Sequence, residues 1–405
     1  MSAASGLHAR SEVRATGGLL TILACLAALG TLSTNILLPS LPGMARALDV
    51  PIVATAALMS WFFATFAVGQ VFVGPLADRY GRRPLVGVGL VFFLAGSLAC
   101  TVATSLSGLV AGRMIQAIGV CAASVLSRAI ARDLFTGNEL ARVLSFITVA
   151  MAAAPGFSPL LGSGLDHAFG WRSPFAFVAA FGALLGLAYS LAVGETHVGE
   201  RPPIALLSIM RGYGSLLRDR RFVVPATSVS LVIGGLFAVF TVTPAILVGG
   251  LGFSPLQLSL FYAGTVFVVF GAGFSAPRLA KRSSLALVTR LGLVIASGGC
   301  LVMVALALAG FHTFASYLLP MLVFLFGMGM LNPIGTALTL TPFGERAGAA
   351  SALLGFMQMA CAALAILAAT SMTVPPFLAL SIVLATLTTT GAIIFGLRAR
   401  STKTP

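Results

Sequence analysis

FVVPATSVSLVIGGLFAVFTVTPAILVGGLGFSPLQLSLFYAGTVFVVFGAGFSAP, residues Phe222–Pro277, runs for more than 50 positions without an Asp, Glu, Lys or Arg. A bilayer core about 30 Å thick is crossed by about 20 apolar residues in a helix, so this stretch has room for two spans. Leu291–Gly344 and Ala347–Leu397 are runs of the same kind, and shorter ones cover Ala15–Ala45, Pro51–Ala77, Pro84–Gly112, Val143–Leu165 and Ser173–Gly194. Over all 405 residues, 58% are hydrophobic and only 8% are charged, against about 25% charged in soluble domains. A soluble fold could not cover its surface with so few charges. The chain reads as an all-α polytopic membrane protein.

The net charge of +14 does not point to nucleic acid, because the Lys and Arg residues lie between apolar spans instead of clustering on an aqueous face. Cys25, Cys100, Cys121, Cys300 and Cys361 fall inside spans without metal-ligand spacing, which makes them small buried hydrophobes. Neither a disulfide, a metal nor a cofactor is expected. The first apolar stretch follows Arg10 and Arg14 but is too long for a signal-peptide core and lacks an A-x-A exit. It is therefore expected to stay as an uncleaved first helix.

Dividing the runs at Gly, Pro and charge clusters predicts twelve spans at 17–40, 52–75, 84–104, 108–130, 140–162, 172–193, 222–248, 256–279, 285–309, 314–338, 347–371 and 375–397. With this count, 21 of the 24 Lys and Arg residues fall on the side of the termini and only Arg46, Arg113 and Arg172 on the other. The positive-inside rule then makes both termini cytoplasmic. The expected organisation is a tail (1–16), a six-helix bundle (17–193), a charged linker (194–221), a second six-helix bundle (222–397) and a tail (398–405). GPLADRYGRR (Gly74–Arg83) after span 2 is echoed by GFSAPRLAKR (Gly273–Arg282) after span 8, 199 residues later. Duplication of a six-helix unit explains this, and parallel repeats are a transporter architecture.

Several motifs carry chemistry. In Gly74–Arg83, Gly81 permits a tight turn, Asp78 can approach a helix N-terminus, and Arg79, Arg82 and Arg83 hold the loop at the membrane face. Such a carboxylate beside basic groups suits a state-dependent charge network. Span 4 carries Arg113-x-x-Gln116-Ala117-x-Gly119; an arginine about a third of the way into a bilayer either faces a wet or paired interior or snorkels to the nearer interface. Span 5 reads APGFSPLLGSG (Ala154–Gly164), where Pro155 and Pro159 remove backbone hydrogen bonds and Gly162 permits close helix contact, so a bend with tight packing is expected.

Gly74–Arg83 resembles the signature loop of the major facilitator superfamily, and nearly the whole chain fits that superfamily's twelve-helix plan of two pseudo-repeated bundles. The Arg113 motif is similar to the intramembrane motif of drug:proton antiporters, and Ala154–Gly164 to their helix 5 motif, with Ser158 and Ser163 where Gly is usual. ARDLF (Ala131–Phe135), LLPSLP (Leu37–Pro42) and PFGERAGAASALLG (Pro342–Gly355) resemble the Bcr/CflA branch of bicyclomycin and chloramphenicol resistance exporters. The resemblance implies a functional monomer in a bacterial-type inner membrane that exports small amphiphilic drugs by alternating access, with the proton-motive force as energy source. It also implies that Asp78 pairs with the start of span 11 near Gly344–Gly348 and with Arg128 or Arg132.

One position departs from that branch. Where its members place an Asp before LPxLP, this chain has Asn35, which can hydrogen-bond a substrate but cannot titrate. The ten acids all fall in tails, loops or helix ends. Three readings follow: coupling through an edge acid such as Asp78 or Asp166, a facilitator, or a substrate that carries the charge balance itself. The central cavity of a six-plus-six bundle lies at the repeat interface, and the residues expected to line it are Asn35, Trp61, Gln70, Arg113, Gln116, Phe240, Thr241, Tyr262, Asn332, Met357 and Gln358. Aromatic and Met side chains suit a broad-specificity pocket, and the lack of a carboxylate favours neutral or weakly anionic amphiphiles. An enzyme is disfavoured, since H-E-x-x-H, G-x-S-x-G and a buried acid pair are all absent from the sequence. A metabolite exporter or facilitator of the same fold is the alternative.

Overall fold

The computed structural model describes residues 17–196 and 206–401. The N-terminal tail with Arg10 and Arg14, residues 197–205 of the linker and the last residues of the C-terminal tail lie outside them. Among the described residues there is no strand, and twelve helices are long and apolar enough to cross a membrane. Helices 1–6 are Gly17–Ala47, Ile52–Tyr80, Arg82–Val102, Leu106–Leu134, Gly137–Phe169 and Ser173–Ala192; helices 7–12 are Arg220–Gly250, Pro255–Arg282, Leu285–Leu308, Phe314–Gly344, Ala347–Ser371 and Pro376–Leu397. Each predicted span falls on one of them. Several run further at the arginine-rich side, helix 2 to Tyr80 and helix 8 to Arg282. A helix satisfies its own backbone, so it continues into the headgroup region while arginines extend to water.

Within each half, small residues set the tightest contacts, as expected where lipid removes the hydrophobic drive between helices. Helices 3 and 4 meet where Gly96 faces the backbone of Gly112 and Gln116, and where Gly119 faces that of Gly89 and Phe93. Helices 9 and 10 repeat the arrangement through Gly292, Gly299 and Gly327. The halves join through helix 2 on helix 11 and helix 5 on helix 8.

The duplicated loops have diverged in structure. Helix 2 stops at Tyr80 because Gly81 turns the chain at φ +98°, a conformation costly for any residue with a Cβ. At the matching place helix 8 has Ala280 and carries on to Arg282, with Pro277 inside it where Asp78 stands in the first copy.

Part of the charged linker is itself ordered, because Leu206–Arg218 is helical. Ile209, Tyr213 and Leu216 recur at the spacing of one helical face. Tyr213 and Leu216 are buried against Val71 of helix 2, Phe222 and Ala226 of helix 7, and Ala350, Leu353 and Leu354 of helix 11.

Candidate functional site

Between the halves lies a cavity of about 990 Å³. Its inner wall carries four carboxamides from four helices: Asn35 of helix 1, Gln70 of helix 2, Asn332 of helix 10 and Gln358 of helix 11. Each amide offers both a donor and an acceptor. Asn35 spends one N–H on the Thr31 carbonyl at 2.8 Å. Gln70 reaches across to helix 11 because Gly355 leaves space there; a Cβ on Gly355 would overlap its Oε1. Phe62, Phe63 and Phe66 of helix 2 and Phe237 of helix 7 complete an apolar side.

The cavity opens between the arginine-rich helix ends, where Gly74, Asp78, Arg82, Arg128, Arg132 and Asp133 line it together with Ile209, Gly212 and Tyr213 of the linker helix. Its other end is shut. Phe63 and Phe237 meet across the halves with ring centroids 4.4 Å apart, and Ser259 of helix 8 donates to the Pro159 carbonyl of helix 5 at 3.0 Å. Gly162 lies against the Ile36 carbonyl of helix 1, where a Cβ would collide. Helix 5 runs through both Pro155 and Pro159.

The charge network at the mouth differs from the expected one. Arg82, not Asp78, is its centre: Nη1 bonds Asp78 Oδ1 at 2.6 Å and Nε bonds Asp133 Oδ2 at 3.3 Å. Asp78 thus pairs within its own loop instead of with Arg128 or Arg132. Glu195, just past helix 6, accepts the backbone N–H groups of Arg82 at 2.9 Å and Arg83 at 3.2 Å. A carboxylate there satisfies two of the orphan donors at the start of helix 3 and meets its positive dipole end. Thr196 donates to Asp133 at 3.2 Å and Arg83 to the Ser190 carbonyl at 2.9 Å, tying the ends of helices 3, 4 and 6 together. Arg79 and Gly81 belong to this loop but stand off the cavity wall.

Several residues expected at the cavity lie elsewhere. Trp61 is 52% exposed and does not line the cavity; at about 100° per residue it stands about 200° round helix 2 from Phe63, which does. Arg113 and Gln116 are fully buried in the first bundle, behind Phe62. The Arg113 guanidinium lies 4.1 Å from the Phe62 ring centroid and donates to Gln116 Oε1, to the Ser33 carbonyl at 3.3 Å and to Met59 Sδ at 3.7 Å, leaving Nε without a partner. It neither snorkels nor faces the cavity. Gln116 in turn donates to Ser97 at 2.7 Å.

Phe240, Thr241 and Tyr262 are buried at the shut end, where Tyr262 donates to the Phe240 carbonyl at 2.7 Å with the rings edge-on. Met357 packs on the linker-helix cluster. Sequence reasoning missed the phenylalanines of helix 2, Asp133, Glu195 and Tyr213. The stripe Phe62-Phe63-x-x-Phe66 and the apolar face of the linker helix were signals that could have found two of these groups.

Similar proteins agree with this architecture. Multidrug resistance protein D of Escherichia coli (strain K12) is 31% identical over 345 residues, 84% of this chain and 85% of that protein. A bicyclomycin resistance protein homolog of Haemophilus influenzae is 28% identical over 348 residues, 84% of this chain and 86% of the relative. In structure the chain resembles a D-xylose-proton symporter at a TM-score of 0.73 and 16% identity, with 93% of this chain and 96% of that one covered. At that identity the likeness is one of fold. The sequence profile of the Major Facilitator Superfamily matches residues 23–366, and with twelve apolar helices in two facing bundles of six the chain belongs to that superfamily of membrane transporters.

Proposed function

We propose that the protein exports small neutral or weakly anionic amphiphiles of the drug type, related in kind to those named for its bicyclomycin-resistance and multidrug-resistance relatives, by alternating access. The observation that carries this reading is the cavity itself: four carboxamides and an aromatic wall, with acids confined among its described residues to Asp78 and Asp133 at the mouth. Amides satisfy the scattered hydrogen-bonding groups of neutral amphiphiles and phenylalanines take up their apolar area, whereas a strongly cationic substrate would have no inner counter-charge. The arginine-rich side is assigned to the cytoplasm, both termini with it, so this conformation is open inward and a single chain forms the path.

Expression in a susceptible host should lower accumulation of such compounds, and Gln70→Ala with Gln358→Ala should restore it while the protein remains in the membrane. Unchanged accumulation with wild-type protein present would overturn the assignment.

The non-titratable inner wall also favours a second reading, a facilitator or metabolite exporter without the usual proton coupling. Asn35 would then contact substrate and not protons. Proteoliposomes with an imposed pH gradient separate the two readings. Uphill accumulation that follows the gradient supports coupling, and its loss in Asp166→Asn, which lies beside Gly43 and Trp171 at the shut end, would place the proton carrier there.

A further inference from the structure

At the cavity mouth two positive charges are left over by the Arg82 network. Arg82 is taken up by Asp78 and Asp133. Arg128 and Arg132 stand one turn apart on helix 4, and both line the cavity and are exposed to it. Among the described residues no carboxylate lies within 4.0 Å of either guanidinium. Like charges four residues apart on one helix face repel each other, and arginine cannot relieve this by losing its proton. Positive-inside topology accounts for arginines on this side of the membrane. It does not account for two of them turned into an aqueous recess, since headgroup-level arginines serve topology equally well.

The two arginines share the cavity wall with Val125, Ala129, Thr148 and Met151, and with Ser124, one turn further in, whose hydroxyl is engaged with the Ala27 carbonyl at 3.2 Å. Two planar guanidinium forks side by side match the oxygens of a carboxylate, phosphate or sulfate, and charge-assisted bonds of that kind are stronger than neutral ones. We infer that Arg128 and Arg132 form a binding site for one polyatomic anionic group at the inner mouth of the cavity. The group can belong to a soluble amphiphile on its way into the cavity or to an acidic phospholipid of the adjoining leaflet. The inference is one of binding and stands whether or not drugs are the transported molecules.

The test is thermal unfolding of the purified full chain in detergent. Sodium phosphate and sodium sulfate are compared with sodium chloride at matched ionic strength, at concentrations too low for the general stabilisation these anions give by exclusion from protein surfaces. A second arm adds short-chain phosphatidylglycerol or phosphatidylcholine. Phosphate and sulfate should raise Tm in the wild type and in an Arg142→Gln control, and the rise should vanish in Arg128→Gln/Arg132→Gln. A rise with phosphate identifies a soluble anion as sufficient, and a rise with phosphatidylglycerol alone identifies the lipid headgroup. Either supports the site. Equal shifts in chloride, or a shift undiminished in the double variant, overturns it. Should the double variant fail to fold, Arg128→Lys/Arg132→Lys keeps the charge but loses the forks, and its anion-dependent rise should be smaller than that of the wild type.

Discussion

At Gly162 the distance between helices 5 and 1 is set by the absence of a side chain, since any Cβ would fall on the Ile36 carbonyl. Gly162→Val must push the helices apart just where the cavity is sealed. The expected cost is about 1–3 kcal/mol, read as a lower Tm of the purified protein together with leakage at the shut end. Arg113 makes a different demand. Its guanidinium is held by a ring, a sulfur, an amide and a carbonyl, without an acid among its described partners. Arg113→Lys keeps the charge but cannot reach all four groups from one point-like ammonium. It should lose at least one charged hydrogen bond, about 1.5–3 kcal/mol, visible in the denaturation midpoint, whereas Trp61→Phe on the outer surface should leave it unchanged. The sequence marked Arg113 as unusual because intramembrane charge is rare. Its surroundings were illegible there because Met59 and Phe62 come from another helix, and no spacing rule within helix 4 points to them.

The linker helix shows the same limit at the level of an element. Its charges mark it in sequence as a linker, while the apolar face Ile209, Tyr213 and Leu216 only gains meaning once helices 2, 7 and 11 offer a groove to fill. Burial pushes the Tyr213 hydroxyl above its ordinary pKa, so it stays a donor to the Val71 carbonyl at 3.1 Å. Arg346 adds a bond to Ser215 at 3.3 Å. The helix therefore touches both halves beside the open mouth. Leu216→Glu would bury a charge in that cluster, which the helix can avoid only by undocking. Hydrogen exchange over 206–218 should then rise by at least tenfold with the twelve spanning helices unaffected, and equal exchange in variant and wild type would contradict the docked arrangement. The twelve spans themselves were legible because each is long, apolar and bounded by charge, and such a signal needs no tertiary partner.

For the molecule as a whole, the pairing of two six-helix units was readable from the echo between Gly74–Arg83 and Gly273–Arg282, but their inequality was not. The first copy turns at Gly81 and builds the charge network; the second, with Ala280 and Pro277, stays helical and has no ion pair among the described residues. Acids and arginines gather at one rim, while the inner wall presents amides. Each elementary charge that crosses 100 mV of membrane potential exchanges about 2.3 kcal/mol with the field. An inner wall without ionised groups gives the field little to act on when the empty protein changes its access. In proteoliposomes clamped with a potassium diffusion potential, exchange of a neutral substrate should proceed at the same rate at either polarity, and net movement of an anionic one should respond to voltage through the substrate's own charge. On the proposed reading without proton coupling, the four carboxamides leave the electrical work to be done on the cargo.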